Sequence, residues 1–442
     1  MPRRNVYLLL AALAVSLVCY HKADSANRNR YGSMFETFTT ALGEIRDKHL
    51  YPVDERKLFE GAMRGMVDQL DPYSGYAGED ETREFHESLG QEFGGIGIEV
   101  SWNDKNNSLT VLSPIVGTPA YEKGMMSGDQ ILKINGESTE GFTLHDAVRR
   151  LRGKPGELVR ITVAREGEKV PRELEIRRAV INVDTVLGDR RNPDGSWNFT
   201  LEQAPDVGYV RITQFGEKTV DEIKKALVSL KALKVKGLIL DVRGNPGGLL
   251  SAAHEICDLF VKEGVIVSVK DREENEHQRY EATGEAAYPD LLLVVLVNHF
   301  SASASEIVAA CLQDHKRAIV VGERSWGKGT VQTPIELEKG KSLLRLTIAG
   351  FWRPSGKNIH RRPNDTDDDV WGVIPSPGFE VKLDEKQELE IAKLRRQRDI
   401  LPRPGDKPTT ETPGLTDPVI EKALEYLRQE AGAGPAEAAK AA

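Results

Sequence analysis

At 442 residues and 39% apolar, the chain is long enough for two or three domains with buried cores of their own. A net charge of −8 and the lack of a long basic tract exclude nucleic-acid binding as the main role. The nine histidines are scattered and no C-x-x-C or H-E-x-x-H occurs, so neither a metal nor a cofactor is expected. The first 25 residues carry Arg3–Arg4, the apolar run Val6–Tyr20 and small residues at Ala23-Asp24-Ser25. That run is short for a membrane span and suits a signal peptide, with an uncleaved anchor as the alternative. The expected location is the periplasm or cell envelope, and membrane contact is expected only through that segment. Cys257 and Cys311 fall on apolar helical faces and read as buried thiols, with pairing left open.

Residues 31–90 form an expected helical segment. Met34–Leu50 and Lys57–Leu70 have helical spacing, are separated by Tyr51-Pro52, and end at Asp71-Pro72. They read as a packing or dimer element. From Phe93 the period shortens: Gly94-Gly95-Ile96-Gly97-Ile98 leads into a strand, followed by strands at Leu109–Leu112 and Gln130–Ile134, an Asn135-Gly136 turn, a helix at Thr143–Leu151 and a strand at Glu157–Ala164. This order resembles a PDZ domain over residues 93–179. The resemblance implies that the glycine loop offers N–H groups to a peptide's terminal carboxylate while the peptide adds a strand to the sheet edge.

Residues 180–380 alternate strands and helices. Val207–Gln214, Val235–Val242, Val265–Val269, Leu291–Val297 and Ala318–Val321 read as strands, and Val220–Leu233 and Leu250–Glu263 as helices, which implies βαβ units. Thr330–Leu337 and Ser342–Phe351 read as a hairpin. Residues 381–442 hold a helical pattern at Pro418–Glu430 and an Ala/Gly-rich tail expected to be disordered.

Three stretches carry chemistry. Ser301, Ser303 and Ser305 open a helix directly after the strand Leu291–Val297, and Ser303-x-x-Glu306 is a capping box. A serine at a helix start sits in positive potential, and the next N–H, that of Ala304, is free to face an oxyanion. Lys328 lies between Gly327 and Gly329. Gly322-x4-Gly327-Lys328 approaches a phosphate-binding loop, yet Gly329 replaces the required hydroxyl and a strand pattern follows. A partly buried lysine is a general base once neutral, and burial favours the neutral form. Gly247 and Gly248, in Asn245-Pro-Gly-Gly248, offer a second oxyanion N–H. A histidine base is the competing reading. His299 is near Ser303, whereas His315, beside Asp314, lies roughly 18 Å along the helix and is too far for direct proton transfer.

Together, Phe300-Ser-Ala-Ser-Ala-Ser-Glu306, Gly327-Lys-Gly-Thr-Val-Gln332, Asp241-Val-Arg-Gly-Asn-Pro-Gly-Gly248, Asp71-Pro-Tyr-Ser74 and the PDZ-like segment resemble the carboxy-terminal processing peptidases, or tail-specific proteases, over roughly residues 31–381. The resemblance implies a multidomain α/β (α+β) protein, with a crotonase/ClpP-like α/β core, an inserted PDZ domain and an N-terminal helical segment. By the serine-to-lysine spacing it assigns Ser303 as nucleophile and Lys328 as base. It further implies that Gln332 orients the lysine, that Asp314 supports it, and that Ala304 with Gly247 or Gly248 forms the oxyanion hole. Arg152 matches a position that couples tail binding to the site. The implied substrates are proteins with accessible apolar C-termini, and the implied partners are a second copy or an activating adaptor. Gly244, where many members have Asn, and the loops at Asn192–Asn198 and Arg361–Asp369 depart from the pattern. The alternative is a tail-binding scaffold with an inactive core.

Overall fold

The computed structural model describes residues 15–16, 31–103, 108–401 and 416–432. These divide into two compact units, one running up to Gly78 and including Ile335–Arg345, the other spanning Glu79–Pro334 and the chain from Leu346 onward. Apart from Val15 and Ser16, the expected signal segment lies outside the described residues, and so does the Ala/Gly-rich tail after residue 432. Among the described residues, no helix is long and apolar enough to cross a membrane.

In the first unit, helix α1 covers residues 31–48 and α2 covers Glu55–Val67. Pro52 separates them, and the Asp54 carboxylate caps α2 by accepting from the Arg56 and Lys57 N–H groups. Strand β1, Gly75–Ala77, pairs antiparallel with Leu343–Arg345. The expected helical pair is present, but Met34, Phe35, Phe38 and Ile45 remain exposed on it.

The second unit begins with helix α3, Glu79–Gly90, which has no apolar repeat and buries only Thr82. Strand β2, Glu92–Gly95, follows. Next comes an antiparallel sheet of β3 (Ile98–Asn103), β4 (Ser108–Pro114), β5 (Gln130–Ile134), β6 (Leu158–Ala164) and β7 (Arg172–Arg177), in that spatial order. Asn135 and Gly136, at φ 51° and 84°, make the tight turn after β5 that only such residues adopt readily. Helix α4, Leu144–Leu151, starts at a Thr143–Asp146 capping box and closes the domain over Leu109, Ile131, Ala147 and Ile161. Among the described residues β3 pairs only with β4, so its other edge is open beside α4. Strand β2 pairs with β8, Ala179–Asn182, so Gly94 and Gly95 lie opposite Val180 and Ala179. The expected glycine loop is thereby shortened to Ile96-Gly97-Ile98, because two of its members belong to a strand.

The core of this unit is a parallel sheet in the order β9 (Ala204–Ile212), β10 (Gly237–Asp241), β11 (Leu292–Val297), β12 (Ile319–Gly322). Helices α5 (Thr219–Ala232), α6 (Leu250–Asp258) and α7 (Ala304–Asp314) follow β9, β10 and β11 respectively. Alternate residues face opposite ways, as the two-residue period of a strand requires. Val210, Leu238, Leu240 and Val295 pack on α5–α7. Tyr209, Ile239, Val294 and Leu296 pack on α9, Pro418–Gly432. Burial on both faces explains why these strands read as unbroken apolar runs. Cys257 on α6 and Cys311 on α7 are buried free thiols, and burial together with contact to Cys311 pushes the Cys257 thiol well up. Helix α8, Glu385–Asp399, was not foreseen; it buries Ile391 alone.

Candidate active site

Three neighbouring parallel strands empty at the same sheet edge, the position where open α/β sheets place their ligands. Strand β10 leads into the turn Val242–Leu249, β11 into Asn298–Ser303, and β12 into Glu323–Gly329. Gly247, Gly248, Ser303, Ala304 and Lys328 are brought together in this way from distant parts of the chain.

The three serines are not equivalent. The Ser301 hydroxyl donates to the Val242 carbonyl at 2.8 Å, and the Ser305 hydroxyl to the Asn245 carbonyl at 2.9 Å. Both pin the α7 start to the glycine-rich turn. The Ser303 hydroxyl donates to no described partner. Its backbone is held at φ 57°, ψ −113°, a conformation costly for a residue with a β-carbon. The surroundings therefore hold the turn in place and give its hydroxyl no described acceptor.

Glu306 is what holds it. This side chain is fully buried, and one oxygen accepts from both the Ser303 and Lys328 N–H groups, each at 2.8 Å. The other oxygen accepts from the Gly327 N–H and the Ser325 hydroxyl, each at 2.6 Å. A single carboxylate thus joins the serine turn to the lysine loop. Burial pushes its carboxyl up to about 7, against the pull of those four hydrogen bonds. Sequence reasoning saw Glu306 only as the second half of a capping box.

The glycine turn approaches from the other side. A methyl group added at Gly247 would sit 2.8 Å from Ser303 Cβ and 3.0 Å from the Ala304 nitrogen, so only glycine permits this approach. The Gly247 N–H is already taken, donating to Asn245 Oδ1 at 2.8 Å. The N–H groups of Gly248 and Ala304 have no hydrogen-bond partner among the described residues. Beneath this turn, Arg243 pairs with the buried Asp241 at 2.7 Å and Asp417 at 2.9 Å, and the Tyr209 hydroxyl donates to Asp241 at 2.6 Å. Burial alone would raise the Asp241 carboxyl; the Arg243 guanidinium holds it down at about 2.

Other expected residues lie elsewhere. Asp314 ends α7, ten residues beyond Ala304 and therefore about 15 Å along the helix. Its carboxylate is bound by Arg353 at 2.6 and 2.8 Å. The structure does not bring it to Ser303. The Gln332 amide donates to the hydroxyls of Thr330 at 2.9 Å and Thr347 at 3.2 Å. Arg152 caps α4 and pairs with Glu87 at 2.8 Å. His315 bonds the Val265 carbonyl, away from the site. His299 turns to Glu323 at 2.9 Å, with Glu388 of α8 at 3.7 Å. These three offer donor atoms within 4.8 Å of one another, the one group among the described residues with the spacing to hold a metal ion. The phosphate-loop reading fails because Lys328 runs into the strand Thr330–Leu337 instead of a helix.

Comparison with known proteins identifies the family. Residues 206–370 match the model for Peptidase family S41, 110–165 that for a PDZ domain, and 14–82 that for the activating protease CtpB N-terminal domain. A carboxy-terminal-processing protease of Bartonella bacilliformis is 38% identical over 414 residues, covering 90% of each chain. The chain belongs to the carboxy-terminal processing proteases. Carboxy-terminal processing protease CtpB of Bacillus subtilis is 36% identical over 321 residues, 72% of this chain and 64% of that protein. A solved photosystem II D1 C-terminal processing protease aligns over 82% of this chain and 92% of its own, at 28% identity and TM-score 0.43. As a family member the chain is a PDZ-bearing serine protease acting on protein substrates, not an inactive scaffold.

Proposed function

We propose that Ser303 is the nucleophile and Lys328 the general base of an endopeptidase that takes hold of its substrates by their C-terminal tails. The observation that carries this reading is the Glu306 carboxylate, which fixes the backbones of Ser303 and Lys328 through one shared oxygen while the Ser303 hydroxyl donates to no described partner.

In the proposed cycle, a substrate tail lies along the open β3 edge and a stretch of the same chain crosses the Ser303 turn. Neutral Lys328 takes the Ser303 proton as the oxygen bonds to the scissile carbonyl carbon. The Ala304 and Gly248 N–H groups hold the oxyanion, and Gly248 is preferred to Gly247 because the latter's N–H is spent on Asn245. The lysine ammonium then gives its proton to the leaving amine, and the C–N bond breaks to leave an ester on Ser303. Water, deprotonated by the same lysine, hydrolyses that ester and restores the serine. Gln332, its amide nitrogen held by two threonines, orients the lysine through its carboxamide oxygen. Asp314 has no part in these steps, and neither a metal nor a cofactor enters them.

The reading extends to export through the segment 1–25, as a signal peptide or anchor, with action in the periplasm or envelope. It extends also to self-association through the exposed apolar face of α1, and to activation by a tail or an adaptor. The test is mass spectrometry of an unfolded protein with an apolar C-terminal tail, incubated with wild type, Ser303→Ala and Lys328→Ala. Cleavage by wild type alone is expected, with a loss of at least about a thousandfold in each variant. Cleavage that survives in Lys328→Ala would remove the lysine from its role.

A further inference from the structure

Between the open β3 edge and α4 runs a groove of 340 Å³. Its walls include Ile98 and Val100 from β3 and Val148 and Leu151 from α4, and two cations, Arg152 and Arg396, border it. An extended peptide added antiparallel to β3 would bring its last residue to the Ile96-Gly97-Ile98 turn, where β3 begins. A terminal carboxylate arriving there leaves water and needs compensation by N–H groups and positive charge.

The two arginines differ in what they have to offer. Arg152 is committed: besides the Glu87 pair, its guanidinium lies 4.7 Å over the Phe93 ring. Arg396 comes from α8, outside the PDZ sheet. It makes no ion pair within 4 Å among the described residues, and its charge is felt by Glu99, the second residue of β3. Its position is nonetheless fixed. Arg398 and Arg395 hold Asp189 at 2.8 and 3.3 Å on one side, Asp399 pairs with Arg211, and the Leu401 N–H donates to Ser113 Oγ at 3.2 Å beside β3. An uncommitted guanidinium on a pinned helix, at the mouth of an apolar groove, is preorganised for a planar anion.

We propose that Arg396 captures the terminal carboxylate of the substrate tail, so that a helix outside the PDZ domain sets the preference for a free C-terminus. This rests on the tail-binding reading above. Arg396 is a specificity-determining residue and takes no part in bond breaking. Internal segments and amidated ends fill the same apolar walls but leave this guanidinium unpaired.

The experiment uses the full chain carrying Ser303→Ala, to stop turnover, and a dye-labelled flexible peptide with an apolar last residue, made as free acid and as amide. Fluorescence anisotropy is expected to show the acid binding about tenfold tighter than the amide, the range of one charge-assisted pair. Adding Arg396→Gln reduces that ratio to about two or less and leaves amide affinity unchanged. Arg396→Lys keeps part of it, and Arg152→Gln leaves most of it. With Ser303 restored, Arg396→Gln raises KM for a tailed substrate and leaves kcat at saturation unaltered. A ratio unchanged in Arg396→Gln overturns the proposal while tail binding stands. Equal binding of acid and amide to the Ser303→Ala chain overturns both.

Discussion

The Ser303 turn and the groove between β3 and α4 are built in opposite ways. At the turn, nearly every hydrogen bond runs between a buried side chain and the backbone: Glu306 to Ser303, Gly327 and Lys328, Asn245 to Gly247, Ser301 to Val242, Ser305 to Asn245. The Ser303 hydroxyl donates to none of these partners. At the groove, buried and half-buried apolar side chains make the walls, and the half-buried Arg152 and exposed Arg396 stand at the rim. Chemistry needs reacting atoms fixed to within fractions of an ångström, whereas recognition of varied tails needs an edge, a trough and a charge. Truncating a side chain should therefore cost the first region its structure and the second only affinity.

The sharpest way to break that contrast is Arg243→Ala. It would leave Asp241 and Asp417 buried side by side without their cation, beneath the oxyanion turn and against α9. Removing one partner from such a buried cluster costs about 3–5 kcal/mol. Chemical denaturation should show that loss, and cleavage should fall with it. Unchanged stability would mean that the turn does not depend on its buried ions.

The next effect separates activity from stability. Glu306 accepts four hydrogen bonds and donates none, which only the ionised carboxylate can do. With its carboxyl at about 7, kcat should fall as pH drops below neutral, by about tenfold per unit once well below. Stability moves the other way. The folded value lies above the ordinary 4.5, so the folded state holds the proton more tightly than the unfolded chain. This group's contribution is full below about 4.5 and is lost as pH rises to about 7. A pH series of kcat beside a pH series of denaturation midpoints checks both signs, and a flat kcat between pH 5 and 7 would sink the role given to Glu306.

The sequence made the catalytic turn far easier to read than the parts that address the groove. Strands buried on both faces announce themselves as apolar runs; Ser303 and the Gly247–Gly248 pair stand at strand-to-helix turns and Lys328 at a turn between two strands, and the resemblance to the processing peptidases is what singled them out. Helix α8 has no such signal: only Ile391 is buried, and the helix is held by ion pairs from Arg395, Arg398 and Asp399. Helix α3 falls within the segment 31–90 expected to be helical, but with Thr82 as its sole buried residue it has no apolar repeat to mark its bounds. Glu306 was seen but undervalued, because three of its four donors come from Ser325–Lys328, about twenty residues away. Asp314 entered through the resemblance alone, and the helix Ala304–Asp314 carries it away from the serine turn.

The smallest effect belongs to the groove wall. Val148 is half-buried on α4 and faces the trough, while the neighbouring Ala147 and Leu151 carry the PDZ core. Val148→Ala removes two methyl groups from the wall, and each buried carbon is worth up to about 0.8 kcal/mol. Because the groove touches the tail equally before and during bond breaking, the loss is uniform binding, so KM should rise about threefold to tenfold while kcat holds. Steady-state kinetics on one tailed substrate measures this directly. A fall in kcat instead would mean that groove occupancy alters the Ser303 turn itself, and the two regions would then act as one. Helix α8 offers the physical route for such coupling, with Glu388 at 3.7 Å from His299 and Arg396 about 12 Å further along the same rigid rod.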